Sequence, residues 1–168
     1  LVSDAIQYIV HATTVATNAI LEGKLSPTAL VVTEGFGDIL EIGRQIRPIL
    51  YDLDALRPAP LVPRQLCLEV PERVAADGTV VIELDKEAVR KAAAKIRAAE
   101  VQAVVVCFLH SYINSEHERC AAALLRQELP GLFISASSEV SRQWGEYARA
   151  CTALINAGLV PKVTQYFA

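Results

Sequence analysis

Apolar positions along the chain come in two kinds, unbroken blocks and stripes at helical spacing, and the two kinds alternate. Residues 5–10 form an apolar block interrupted only by Gln7, and residues 29–33, 101–109 and 132–136 form three more. Short blocks without strict alternation predict strands buried on both faces. Val89, Ala92, Ala93 and Ile96 recur at the spacing of one helix face, and Ala121, Leu124 and Leu125 do the same in a later stretch. Both patterns predict helices that bury a single stripe.

Start and stop signals set the bounds of these elements. Asp85 precedes the first striped helix as an N-cap. Ser115-Glu116-His117-Glu118 reads as a capping box for the second, and Pro130-Gly131 stops it. Thr13 or Thr14 can cap a helix reaching about Glu22, with Gly23 as its left-handed stop. Gly35 and Gly37 turn block 29–33 into a short helix over 38–42 that ends at Gly43. Residues 66–74 alternate as one strand, Ala76-Asp77-Gly78 signals a hairpin, and 79–84 is the return strand. From about Ser141 the pattern is helical until Pro161 interrupts or kinks it. Residues 44–63 hold Pro48, Pro58, Pro60 and Pro63 without periodicity and read as irregular. A lobe boundary near 58–66 and a single continuous sheet both fit that stretch. The order of elements predicts an α/β fold, a mixed sheet with helices on both faces.

Composition narrows the functional classes. Of 168 residues, 52% are apolar and 21% charged, which suits a globular domain with a sizeable core. A net charge of −3 argues against nucleic acid or an anionic membrane as partner. No apolar run approaches the roughly 20 residues of a membrane helix. Cys67, Cys107, Cys120 and Cys151 include no CxxC pair, so they read as core filler, no metal site is expected, and a reducing cytoplasm is the default. The chain begins at Leu1 and contains no Met, so it is expected to be a segment of a longer protein.

Polar residues at strand ends are the candidates for chemistry, because ligands of α/β sheets collect at the carboxyl edge. The stretch from His11 to Asn18 sets His11, Thr13, Thr14 and Asn18 around a helix start, suited to an anion or a carbonyl oxygen. A cap with a structural histidine is the plainer reading. His110-Ser111-Tyr112 follows the most apolar block and reads equally well as an ordinary loop. Trp144 to Arg149, followed by Thr152 and Asn156, puts Arg149, Thr152 and Asn156 at helical spacing. Arg149 there can grip a carboxylate or phosphate, or the face can simply be solvated. Arg44-Gln45-Ile46-Arg47 is a small basic cluster. Neither a GxxxxGK[ST] nor a GxGxxG phosphate loop is present.

Several words in one order carry a resemblance. His11-Ala-Thr-Thr-Val-Ala-Thr-Asn-Ala-Ile-Leu-Glu22 is similar to the HGTTVATNALLE stretch of the hydantoinase A/5-oxoprolinase family. Residues 33–45 resemble that family's T-x-G-F-x-D-x-L-x-I-G-R-Q. Arg47-Pro48, Tyr51-Asp52-Leu53, Glu72-Arg73-Val74, His110-Ser111-Tyr112, Ser138-Glu139-Val140 and the helix from Glu146 to Asn156 continue the match over nearly the whole chain.

The resemblance implies the N-terminal region of such a protein, spanning 1–168, within an actin/hexokinase-like (ribonuclease H-like) ATPase architecture. It implies an ATP- and Mg2+-dependent hydrolase that opens cyclic amides of the 5-oxoproline or hydantoin type. A hydantoinase B-like subunit or domain is the expected partner. A ketone carboxylase subunit, or a non-catalytic interaction domain when isolated, are the alternatives. The family's phosphate loops fall outside these residues, so the segment alone is expected to be inactive and to bind ATP weakly at best. By matching position, the resemblance points to His11 as a proton-handling group, and to Thr13, Thr14, Asn18, Arg44, Tyr147, Arg149 and Thr152 around the substrate. Ala12, Ala148 and Cys151 depart from the family pattern, which leaves the exact substrate open.

Overall fold

A computed structural model describes residues 12–46, 51, 54 and 58–167. The block at residues 5–10, and His11, lie outside the described residues. Helix α1 (Val15–Leu21) leads to strand β1 (Thr28–Thr33) and the short helix α2 (Ile39–Ile42). A 3-10 turn (Arg64–Leu66), strand β2 (Cys67–Val70) and the hairpin β3 (Arg73–Val74) and β4 (Val80–Ile82) follow. Helix α3 (Lys86–Arg97), β5 (Ala103–Cys107), α4 (Glu116–Glu128), β6 (Phe133–Ala136), α5 (Ser137–Val140) and α6 (Glu146–Phe167) complete the order.

Among the described residues, the main sheet runs β2-β1-β5-β6 and every pairing in it is parallel. Within the described residues the expected mixed sheet is therefore corrected: the antiparallel pair β3–β4 is a separate two-stranded sheet. Pro71 is the cause. It cannot donate to a ladder, so the run over 66–74 breaks into β2 and β3 instead of continuing as one strand. Strands β1 and β2, on either side of residues 58–66, pair in the same sheet.

Both sheet faces are covered, as an all-parallel sheet requires. On one face α3 and α4 bury Val89, Ala93, Ile96, Ala121 and Leu125 against Val31, Val104 and Val106. On the other, α6 lays Ala150, Ala153, Leu154 and Ala157 over Leu30, Val32 and Val105. The small alanines let the helix backbone approach the sheet closely.

Local signals held unevenly. Asp85 caps α3 by accepting from the N–H groups of Glu87 and Ala88 at 2.9 and 3.0 Å, and Gly23 takes the left-handed φ of +63° after α1. Thr14 sits at the N-cap of α1 without a side-chain cap bond; Thr13 Oγ1 accepts from Val15 N at 3.3 Å instead. The capping box at Ser115 does not form. Asn114 Oδ1 accepts from Glu116 N at 3.1 Å, while Glu118 turns into the core. Pro161 does not end α6, which continues to Phe167. The buried alanine stripe holds the helix to the sheet, and Gly158 O, one turn before the proline, accepts from Ser26 N at 2.9 Å.

Candidate functional site

Between β1 and β5 the direction of winding reverses. The chain leaves β1 for β2 on one side, past α2, and leaves β5 for β6 on the other, through α4. Such a switch point opens a crevice at the carboxyl ends of the strands. The cleft found there has a volume of about 670 Å³. One wall is the loop after β1 with Gly35, Phe36 and Asp38, together with Ile39, Ile42, Gly43 and Arg44. The other is Gln143 to Ala148, the entry to α6. Cys107 Sγ, at the end of β5, lies 3.8 Å from Glu146 O and ties that entry to the sheet edge.

Arg44 and Tyr147 meet across the cleft. Gly43, with φ +55°, packs on the Tyr147 ring; a Cβ there would stand 3.5 Å from the ring carbon that bears the hydroxyl. One turn on, the neighbouring Cys151 sulfur raises the Tyr147 phenol above its ordinary range, while Arg44 opposes that rise. Burial raises the Cys151 thiol, opposed by its hydrogen bond with Tyr147 and by Arg44. Both groups stay neutral near pH 7. Among the described residues, the cleft thus joins an apolar, aromatic lining (Phe36, Ile39, Trp144, Tyr147) to the Arg44 guanidinium, the neutral Tyr147 hydroxyl and the carboxylates of Asp38 and Glu146. An uncharged ring with a carbonyl to orient fits that lining.

Two polar brackets brace the strand ends beneath it. Glu118 and Arg149 are both fully buried, at 0% exposure. Glu118 accepts from Phe108 N at 2.9 Å, Ser137 Oγ at 2.6 Å and Ser138 N at 2.9 Å. Arg149 donates to Ser137 Oγ at 2.9 Å, Gln143 O at 3.0 Å and Phe108 O at 2.7 Å. The opposite charges thus share Ser137 and lock β5, α5 and the cleft wall together. In the second bracket, Thr33 Oγ1 donates to Glu72 and accepts from Leu109 N at 2.9 Å. His117 Nδ1 lies 2.8 Å from the other oxygen of Glu72. His110, held at φ +55°, sets Nδ1 2.8 Å from Val74 O and so reads as a structural loop residue.

The chain's similarities to known proteins agree with this fold. The family model described as the hydantoinase/oxoprolinase N-terminal region matches residues 2–129. The chain belongs to that family. It is 36% identical over 159 residues to the caprolactamase subunit alpha of Pseudomonas jessenii, covering 94% of this chain and 23% of that one. It is 32% identical over 183 residues to 5-oxoprolinase 1 of Arabidopsis thaliana, covering 98% of this chain and 14% of that one. The crystal structure of the ATP-dependent caprolactamase from Pseudomonas jessenii superposes with a TM-score of 0.86 at 32% identity, over 98% of this chain and 26% of that one. A nucleotide-free acetone carboxylase structure gives 0.83 at 28% identity, over 90% of this chain and 23% of that one. The chain therefore spans about a quarter or less of the length of these relatives.

Within this hydantoinase/oxoprolinase region, the residues singled out by the family pattern separate into three groups. Arg44 and Tyr147 line the cleft together. Thr13, Thr14 and Asn18 sit exposed at the start of α1, with Asn18 Nδ2 donating to Thr14 Oγ1 at 3.4 Å, and they are not among the cleft's lining residues. Arg149 stands behind the wall with its donors taken by protein groups, and Thr152 is exposed with its hydroxyl donating to Ala148 O at 2.9 Å. The shared face expected for Arg149, Thr152 and Asn156 is thus divided between core and solvent. The bracketing residues Thr33, Glu72, His117, Glu118 and Ser137 were not among the site candidates of the sequence reading, although Thr33 and Glu72 fall in the family match and His117 and Glu118 in the expected capping box. Glu118 alone left a trace of its burial, since it stands at i−3 from Ala121 and i−7 from Leu125 on the buried stripe.

Proposed function

We propose that this chain is the part of an ATP-dependent cyclic-amide hydrolase that receives the ring substrate, in the cleft between the β1–α2 loop and the start of α6. The observation that carries this reading is the convergence of Arg44 and Tyr147 at the switch point of the sheet, in a chain whose family includes proteins named 5-oxoprolinase and caprolactamase. Phe36, Trp144 and Tyr147 supply flat apolar surface for a ring, and Arg44 a donor for its carbonyl oxygen. In the parent, ATP would supply the phosphoryl group that makes the amide oxygen a leaving group, and the residues of this cleft would hold and orient the ring for attack by water.

The cleft lining does not fit a nucleotide–magnesium site. Among the described residues no three His, Cys, Asp or Glu side chains converge as metal ligands, and one arginine faces the cleft. In this reading the phosphate loops, ATP and Mg2+ belong to the rest of an actin/hexokinase-like parent, which works with a hydantoinase B-like partner in the cytoplasm. The name of the caprolactamase subunit alpha supports a multi-subunit enzyme. Among the described residues, no helix is long and apolar enough to cross a membrane. Thr13, Thr14 and Asn18, with His11 as the proton-handling group, then meet the substrate only in the assembled parent.

The test is ATP-dependent ring opening by the full-length protein with its partner subunit, using caprolactam and 5-oxoproline. Arg44→Met is expected to raise KM about tenfold through the lost charged hydrogen bond. A second reading, ketone carboxylation, is favoured by the likeness to acetone carboxylase; consumption of acetone and bicarbonate without lactam opening would establish it. Calorimetry on the isolated chain is expected to show no tight ATP binding.

A further inference from the structure

We propose that Arg64 is a positioning residue that shapes one wall of the cleft and cancels the Asp38 carboxylate within it, so that an anionic ring amide is admitted alongside a neutral one. The inference rests on the assignment of the cleft as the ring-amide site.

Arg64 lies outside the cleft and ties the loop that lines it to strand β2. Nε donates to Asp38, Nη2 to Glu69 Oε1 at 2.6 Å, and Nη1 to Cys67 O at 3.0 Å. The second oxygen of Glu69 accepts from Gly35 N at 2.8 Å. Gly37 sits against this pair so closely that a Cβ would overlap both the Glu69 carboxylate and the Arg64 guanidinium. Arg73 grips the same loop, donating to Glu34 O at 3.3 Å with its guanidinium carbon 5.2 Å from the Phe36 ring centre. A planar fork with fixed donors suits the three-point grip, which an ammonium would loosen while keeping the charge that cancels Asp38.

The charge consequence follows from the lining. Among the described residues, Asp38, Glu146 and Arg44 are the charged ones that line the cleft. Arg64 is shared between Asp38 and Glu69, of which only Asp38 lines the cleft; with Asp38 so paired, Arg44 balances Glu146. Without Arg64, two carboxylates face one guanidinium, and the Asp38 side chain, 60% exposed, projects its charge into the cleft. A lactam bearing a carboxylate is then repelled, while an uncharged lactam is not.

The experiment measures dissociation constants of caprolactam (uncharged) and 5-oxoproline (carboxylated) by ligand-observed NMR, and ring opening in parallel, with the full-length protein and its partner subunit. Arg64→Gln is expected to weaken 5-oxoproline about tenfold more than caprolactam, in the dissociation constant and in KM, with kcat changed less. Asp38→Asn in the same background is expected to remove the difference, because it deletes the charge that Arg64 no longer cancels. Arg64→Lys, the reserve if the glutamine variant misfolds, is expected to keep the wild-type ratio between the two lactams. Equal weakening of both lactams, or none, overturns the proposal. Wild-type binding without ring opening would remove the hydrolase reading and leave this inference standing. Failure of wild type to bind either lactam would overturn both.

Discussion

Arg149 and Arg64 grip opposite walls of one cleft under opposite conditions. Arg149 is fully buried and shares Ser137 with the equally buried Glu118. The Arg64 side chain is 41% exposed and meets Asp38 and Glu69 at the surface. In the interior, removing one partner strands a charge that water cannot reach. At the surface, water and salt replace the lost partner cheaply. The same residue type therefore serves as a structural pin on one wall and as an adjustable part on the other. A buried cysteine lies beside each arginine, Cys107 near Arg149 and Cys67 near Arg64, and burial raises both thiols to about 12 and about 11, respectively, against the lowering effect of the arginine charge.

The contrast can be broken in order of size. Arg149→Met is expected to destabilise the chain by about 3–5 kcal/mol in urea unfolding, because the buried Glu118 charge loses its countercharge across Ser137, and Phe108 O and Gln143 O lose their donor. The double variant with Glu118→Gln should lose less than the sum of the two single losses, and additive losses would remove the shared bracket. Thr33→Val tests the second bracket. It leaves Leu109 N–H and one Glu72 oxygen unmatched, with an expected loss of about 1–3 kcal/mol by the same measurement.

Alkaline titration sharpens the comparison at the next level. The raised thiols stay protonated in the fold while the unfolded chain ionises near the ordinary thiol value of 9.0. Their contribution to stability is thus fully present below that value and is lost as pH rises toward about 11 for Cys67 and about 12 for Cys107. The slope is about 1.4 kcal/mol per pH unit for each thiol in that window. Cys107→Ala should flatten it, and an unchanged slope would show that Cys107 is not held neutral by burial. Arg64→Gln is expected to cost the least, under about 1 kcal/mol and less still in high salt. A loss as large as that of Arg149→Met would abolish the distinction between the walls.

The resemblance read from the chain proved sound at the level of family, and so did the alternation of strands and helices. Those features are local. The stripe at Val89, Ala92, Ala93 and Ile96, the Asp85 cap and the Gly23 stop each depend on neighbours a few residues away, so they are legible one segment at a time. The site was legible only in part. Arg44 and Tyr147 were both named, but their meeting depends on contact between the end of α2 and the start of α6, about 100 residues apart. Arg149 was named for a ligand because an arginine beside a family motif carries no mark of its burial.

By itself, then, the sequence determined which segments bury apolar surface, where most helices start and stop, and to which family the chain belongs. Tertiary structure alone decided that β2, β1, β5 and β6 pair in parallel with the hairpin set apart, since the Pro71 break matters only when the strands pair. It also decided that Glu118 serves the core instead of a capping box. A carboxylate at i−3 on an apolar stripe is satisfied either by its own helix end or by distant donors, and Phe108, Ser137 and Ser138 become neighbours only on folding. The division between the pinned wall and the adjustable wall is of the same kind, because the worth of a charge pair is set by the water around it, and burial is a property of the whole fold.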